Sequence, residues 1–451
     1  MLSKHYYLKW LLCLLFVGAL GACSPAAEVA EPAPETTSEE TAAEVEAEPE
    51  EVVEEEESEA EMADRGVIKI GLLAPLTGPA AADGEEMVRG AELAIEELNT
   101  AGGIAGYTFE LVVGDVQDQS PDAVVSAIES ITADEAVNAM MTGYASTTNF
   151  EIELMAEMDM PYLISANAAQ TEEIISQDPD KYSTVWSLVP SFEAYETELP
   201  RLMEAWAEAG HIELNNRKVA IVTSDNPYSA TISEGLKESF AELGWEVTVD
   251  ETVPFAEVLD WRTILAEIRQ DPPDLIVNTD YQVGNEVSFL EQFMEDPTDS
   301  MVFMQYGPSI PEFVELTADS STGVIYNLLG GMILTPENAA AVEFIEKFNS
   351  TYGVDPSTYG NALYESVYIY AEALESIGDP TERAAVGSAI GDITWDGATG
   401  TIAFDPETHL AIQGDDNVPI QFYQLDAGER ILIHPPGLAT GDIAPSPWQA
   451  E

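Results

Sequence analysis

Cysteine is almost missing from this chain. Its 451 residues include two, Cys13 and Cys23, both near the first apolar stretch. Everything downstream is therefore barred from disulfides, thiol nucleophiles, cysteine zinc sites and iron–sulfur clusters. Basic residues are scarce as well: 15 Lys and Arg stand against 84 Asp and Glu, a formal charge of −69. Phosphate backbones are held by clustered Lys and Arg, so the balance excludes a nucleic-acid partner. It equally excludes docking on an anionic membrane through side chains. Histidine occurs at His5, His211, His409 and His434, at no metal-ligand spacing. HExxH, GxxxxGKS/T and GxSxG are absent, and the glycines of "LTGPAAADGEEMVRG" do not make a dinucleotide fingerprint. "DVQDQSPD" offers Asp115 and Asp118 without the Gly and Glu of an EF-hand loop. The expectation is a protein with no cofactor, no metal and no enzymatic activity.

What is present begins with a processing signal. Lys4 and Lys9 precede "WLLCLLFVGAL", an apolar core too short to span a membrane comfortably. Residues 1–22 read as a signal peptide, and "LGAC" resembles a bacterial lipobox, which makes Cys23 the expected lipidation site. Several acyl chains anchor stably where one does not. From 23 to 64 the chain is Glu, Ala, Pro and Thr with almost no aromatics, and it holds 17 acidic residues. Such a stretch has no core to bury, and its like charges repel, so an extended, disordered tether is expected. The other acids lie in the remainder, a surface suited to salt-rich surroundings that screen self-repulsion.

From Arg65 the texture changes. "VIKIGLLAP" is a buried-strand pattern. "DGEEMVRGAELAIEELNTAGG" places Met87, Ala91, Ala94, Ile95 and Leu98 on one helical stripe. Asp83 and Glu86 stand as a capping box at its start, with Gly102 and Gly103 as its stop. Apolar strands "FELVVGD", "VNAMMTGY", "PYLISAN" and "TVWSLVP" continue the series. A second series runs "KVAIVTSD", "EVTVDETVPF", "DLIVNTD", "SMVFMQYG" and "GVIYNLLGG". Helical segments between them imply an α/β fold of doubly wound parallel sheets, in two lobes by domain size. "WDGATGTIAFDPETH" and "IQFYQLDAGERILIH" read as hairpins.

The order and spacing of four features carry a resemblance. They are the Leu-Thr-Gly-Pro turn from Leu76, the Gly-Ala-x-x-Ala-Ile helix from Gly90, the Asn-x-x-Gly-Gly-Ile-x-Gly segment from Asn99, and the strand ending in Asp115. From about Ile68 to about residue 425 the chain resembles the branched-chain amino-acid-binding family, the type I substrate-binding proteins of ABC importers. The resemblance implies two lobes joined by three crossing segments, near Val189, Gly330 and Trp395. Lobe one is then 66–189 plus 331–394, and lobe two 190–330 plus 395–451.

The resemblance also implies a site. A ligand carboxylate would sit on two first-lobe loops, at Ser146 or Thr147 and at Asn167 and Ala169. Strand ends of this kind favour anions. Tyr228 and Tyr281 would cover it from the second lobe, and Tyr144, Tyr281 and Tyr306 would suit an apolar or aromatic side chain. Three departures stand out. The family's ammonium-binding acid is replaced by Tyr306, Gly307, Pro308 and Ser309, with Asp280 as a substitute. The aromatic near the first helix's start is Asp83. The small disulfide loop is absent. The implied function is amino-acid capture by a monomeric lipoprotein on the outer face of the cytoplasmic membrane, with delivery to an ABC permease and its ATPase subunits. A sensing domain that reports to a receptor and a tethered hydrolase are the alternatives.

Overall fold

Apolar runs without alternation become strands covered on both faces. The computed structural model describes residues 65–449 except 79, 134–136 and 167. The expected signal peptide, Cys23, the tether and Asn167 lie outside the described residues. "GVIKIGLLA" forms β1 (Gly66–Ala74). Ile68, Ile70, Leu72, Leu73 and Ala74 are fully buried in it, as a central parallel strand requires. Helix α1 (Ala81–Thr100) buries the expected stripe of Met87, Ala91, Ala94, Ile95 and Leu98. Its stop is also as expected, with Gly102 and Gly103 at φ 102° and 79°, a conformation that glycine takes without strain.

The start of α1 differs from expectation. Ala80 is the N-cap and no side chain caps it. Asp83 turns inward to two tyrosine hydroxyls, while Glu86 accepts from the Ser357 amide and from Arg89. Both acids find donors on other elements, so the capping box does not close.

The chain continues through β2 (Tyr107–Asp115), α2 (Pro121–Thr132), β3 (Val137–Thr142), α3 (Glu151–Glu157), β4 (Tyr162–Ile164), α4 (Ala168–Ile175) and β5 (Val185–Ser187). These strands form one parallel sheet in the order β2-β1-β3-β4-β5. The second series is α5 (Glu193–Ala209), β6 (Lys218–Ser224), α6 (Pro227–Glu242), β7 (Glu246–Val253), α7 (Arg262–Ile268), β8 (Leu275–Asn278), α8 (Val283–Met294), β9 (Met301–Met304), α9 (Pro311–Thr317) and β10 (Ile325–Leu329). Then come α10 (Ala339–Tyr352), α11 (Thr358–Ile377), α12 (Arg383–Ala389) and the hairpin β11 (Trp395–Gly397) and β12 (Gly400–Ile402). The last strands are β13 (Ile420–Asp426) and β14 (Glu429–His434). The second sheet runs β14-β13-β10-β9-β8-β6-β7. Its first five strands in chain order are parallel, and the β13–β14 hairpin adds antiparallel to β10. The architecture is the expected pair of α/β lobes.

The chain passes between the sheets three times, and the passages lie side by side. Gly330, at φ 79°, would place a Cβ 3.1 Å from Val189 Cγ2. Ser187 exchanges backbone hydrogen bonds with His409 and Ala411 of the third passage. That third passage comes later than Trp395. Trp395 stacks on Tyr368 of α11 at 5.3 Å, and Thr399 donates to Glu365 of α11 at 2.7 Å. The β11–β12 hairpin thus stays beside the first lobe's helices, and the chain reaches the second sheet at Ile420.

Helices α1 and α11 cross closely enough that a Cβ on Gly90 would overlap the Gly360 carbonyl oxygen. In an open helix, Gly→Ala stabilises by about 1 kcal/mol. Here Gly90→Ala is expected to destabilise by about 2 kcal/mol through overpacking. A urea midpoint that rises instead would show that the helices have room.

Candidate functional site

In doubly wound sheets the crevice beyond the strands' carboxyl ends takes the ligand. Loops at those ends in both sheets line one cavity here, with about 720 Å³ of empty space, its mouth included. From the first sheet come Asp83 after β1, Tyr144 and Thr147 after β3, and Ser165 after β4. From the second come Asn226 and Tyr228 after β6, Tyr281 after β8 and Tyr306 after β9. The passages add Val189, Phe192, Leu328 and Leu329. Tyr359, at the start of α11, closes the first-lobe side.

The wall is largely aromatic. Tyr144 meets Tyr359 edge-on at 5.2 Å, and Tyr306 lies 6.1 Å from Tyr359. Tyr228 contacts Phe192 at 5.5 Å, Tyr195 at 6.2 Å and Tyr281 at 5.7 Å. Edge-to-face pairs of this kind hold one another rigid while leaving ring surface toward a ligand. Local hydrogen bonds aim them. Asn226 caps α6, accepting from the Ser229 amide at 3.0 Å, and so fixes the turn that carries Tyr228. Tyr195 accepts from the Leu329 amide at 2.8 Å, which ties α5 to the second passage.

Asp83 is the one charged residue among those lining the cavity. It is 6% exposed. Tyr144 Oη donates to Oδ2 at 2.6 Å, and Tyr306 Oη donates to Oδ1 at 3.3 Å. The carboxylate is therefore reached from both lobes. Burial pushes its pKa up to about 6; the two phenols pull against this, and Glu86 adds to it. Burial also lifts both phenols, helped by the nearby Asp83 charge, so they stay protonated donors.

Of the residues expected from sequence, Tyr144, Thr147, Tyr228, Tyr281 and Tyr306 line this cavity. Ser146 does not. It is buried, and its hydroxyl donates to Glu151 at 2.6 Å beneath the loop. Ala169 sits in a shallow surface depression with Glu172 and Ser191. Asp280 is fully buried behind Tyr281, where it accepts from the Gln282 amide at 3.0 Å and from Asn285 at 2.7 Å. It braces the loop that carries Tyr281 and is not part of the wall. Glu286 is another buried acid, packed against the Gly307 backbone, and burial pushes its pKa well up.

Sequence reasoning passed over Asp83 as a site residue, together with Ser165, Phe192, Tyr195 and Tyr359. The signal for Phe192 and Tyr195 was their place just beyond the "SLVP" passage. For Asp83 it was an acid where the family resemblance expects an aromatic. Among the described residues, no group of three or more His, Cys, Asp or Glu could hold a metal ion.

Two α/β lobes that converge on one enclosed, largely apolar cavity define a solute-binding protein of the two-lobed class. The chain belongs to the periplasmic binding protein family, whose model matches residues 67–429. It is 22% identical over 382 residues to Leu/Ile/Val-binding protein homolog 7 of Brucella abortus, covering 83% of this chain and 93% of that one. A putative branched-chain amino acid ABC transporter from Silicibacter pomeroyi has a similar structure. Its TM-score is 0.76 at 29% identity, over 84% of this chain and 99% of that one. The substrate binding protein LivJ from Streptococcus pneumoniae, solved with isoleucine, shares the fold. There the TM-score is 0.66 at 20% identity, over 81% and 97% of the two chains. The family and the Brucella and Streptococcus names are those of binding proteins, and this chain is a binding protein of that kind, not an enzyme.

The raised pKa of Asp83 predicts how lobe closure depends on pH. With the lobes together, Asp83 holds its proton more tightly than it would in water, where 3.8 is ordinary. The closed form gains stability as pH falls through about 6 and loses it as pH rises. The difference is at most about 3 kcal/mol, reached only where opening returns Asp83 fully to water. The other groups facing Asp83 are Glu86 and the phenols Tyr144, Tyr281, Tyr306 and Tyr359. The phenols do not titrate in this range. Small-angle scattering of the ligand-free protein should show a smaller radius of gyration at pH 5 than at pH 7.5. Asp83→Asn should be equally compact at both. A wild type indifferent to pH would contradict the assignment.

Proposed function

We propose that this chain is the extracytoplasmic solute receptor of an ABC importer. It captures an amino acid with an aliphatic or aromatic side chain between its lobes and delivers it to a permease. The observation that carries this reading is the cavity's composition. Thr147 and Ser165 supply hydroxyls from first-lobe strand ends, and the Ser165 Oγ is buried with no hydrogen-bond partner among the described residues. A buried donor of this kind costs free energy until an acceptor arrives, and a ligand carboxylate is a fitting one. Phe192, Tyr195, Leu328 and Leu329 leave the other end apolar, which suits a hydrophobic side chain and leaves a strongly polar one unpaired. The names of the Brucella and Silicibacter relatives support the same class.

The test is thermal unfolding after carried-over ligand has been stripped by unfolding and refolding. A ligand at 100-fold its Kd stabilises by about 2.7 kcal/mol, a shift of about 2–4 °C in the midpoint. Leucine, isoleucine, valine, phenylalanine or tyrosine should give that shift. If the twenty protein amino acids all leave the midpoint unmoved, the reading fails.

The same reading places the protein on the outer face of the membrane, held by lipid at Cys23 and spaced by residues 23–64. "LGAC" and the acidic segment behind it support this. Cys23→Ser should release the protein from the membrane fraction into the medium or periplasm. Continued sedimentation with membranes would rule out lipid at Cys23 as the anchor.

A further inference from the structure

We propose that Asp83 binds the ligand's ammonium group, so that the first lobe supplies both the anionic and the cationic recognition of a zwitterion. The assignment rests on the amino-acid reading and deepens it.

Four observations converge on it. Asp83 is the one charged residue lining the cavity. Among the described residues no lysine, arginine or histidine pairs with it, and its two partners are neutral phenols. A carboxylate has about four acceptor positions, so two hydrogen bonds leave it capacity for further donors. A buried, unpaired carboxylate is costly until a cation joins it. Tyr144 and Tyr306 pack on Tyr359, with ring centroids 5.2 and 6.1 Å away, so the carboxylate stands in a neutral aromatic wall.

Among the described residues, the second lobe places no acid in this cavity, its Glu257 and Glu312 lining the adjoining cleft instead. The segment after β9 reads Tyr306, Gly307, Pro308 and Ser309. Asp280 is occupied by Asn285 and the Gln282 amide, behind the wall. Glu286 is walled off beneath Gly307. Neither lines the cavity. The Ser165 hydroxyl, 5% exposed and without a partner among the described residues, is the place for the carboxylate. With both charged groups of the ligand held by the first lobe, the second lobe is left to read the side chain through Tyr228, Tyr281 and its apolar passage residues.

The experiment is calorimetry on the stripped protein with the twenty protein amino acids. The best binder is then compared with its 2-hydroxy and its deaminated analogues, in wild type and in Asp83→Asn. The wild type should prefer the amino acid over the deaminated acid by about 100-fold. Asp83→Asn should lose that preference, weakening the amino acid about 100-fold relative to the deaminated acid, which binds the variant no more weakly than the wild type. Retained affinity for the deaminated acid also shows that the variant folds. Asp83→Glu, which keeps the charge, is a second variant and should retain a measurable preference for the amino form. If Asp83→Asn binds the amino acid as the wild type does, the assignment is wrong while the amino-acid reading stands. The same holds if the wild type binds the deaminated acid equally well. If none of the twenty binds the wild type, the amino-acid reading falls and this assignment with it.

Discussion

One carboxylate held between two phenols ties this molecule together. Asp83 sits on the first turn of α1, takes a hydroxyl from Tyr144 on its own lobe, and takes another from Tyr306 across the cleft. Sealing a charge inside an aromatic enclosure is unfavourable by itself. The surroundings answer this with two phenol donors, the Tyr144 one short at 2.6 Å, in place of a counter-ion. Much of the local architecture serves that aim: Tyr359 packs behind Tyr144, and the Glu286 side chain lies under the backbone that presents Tyr306.

The contrast between outside and inside is informative. The chain carries −69 formal charges, yet its cavity admits one. Acids on the surface keep their hydration and cost little, whereas each acid moved inside must be satisfied by protein. Asp280, Glu286 and Glu365 are buried as well, and burial raises the pKa of each. Asp280 and Glu365 are held by amides or hydroxyls, and Glu286 is closed in against the Gly307 backbone. Asp83 differs because it alone of these four lines the cavity.

The fold was largely legible because periodicity is local. The buried stripe of α1, the glycine stop after it, and the β11–β12 and β13–β14 hairpins all appear where the apolar spacing and turn residues put them. The tyrosines at strand ends were legible through the family resemblance, which implies a ligand at those loops. Partner choice was not. "DGEE" has the spacing of a capping box, and only the distant Tyr306 and Ser357 decide that Asp83 and Glu86 serve other elements. Ser146 and Asp280 stand at plausible loop positions, but neighbours on α3 and α8 claim their side chains. The third passage was misplaced because the affinity of Trp395 for Tyr368 is tertiary and leaves no trace in the hairpin's own residues.

The meeting of Gly90 with Gly360 has a further consequence. With the backbones of α1 and α11 in contact, Asp83 at the head of one helix and Tyr359 at the head of the other ride on a single rigid block. Neither can be retuned by small adjustments without carrying the other along. The second lobe is built differently, since Tyr228 stands on the first turn of α6 while Tyr281 and Tyr306 stand on two separate loops. A substitution that shifts the first-lobe half of the cleft therefore moves two wall residues at once, whereas one in the second-lobe half moves a single tyrosine.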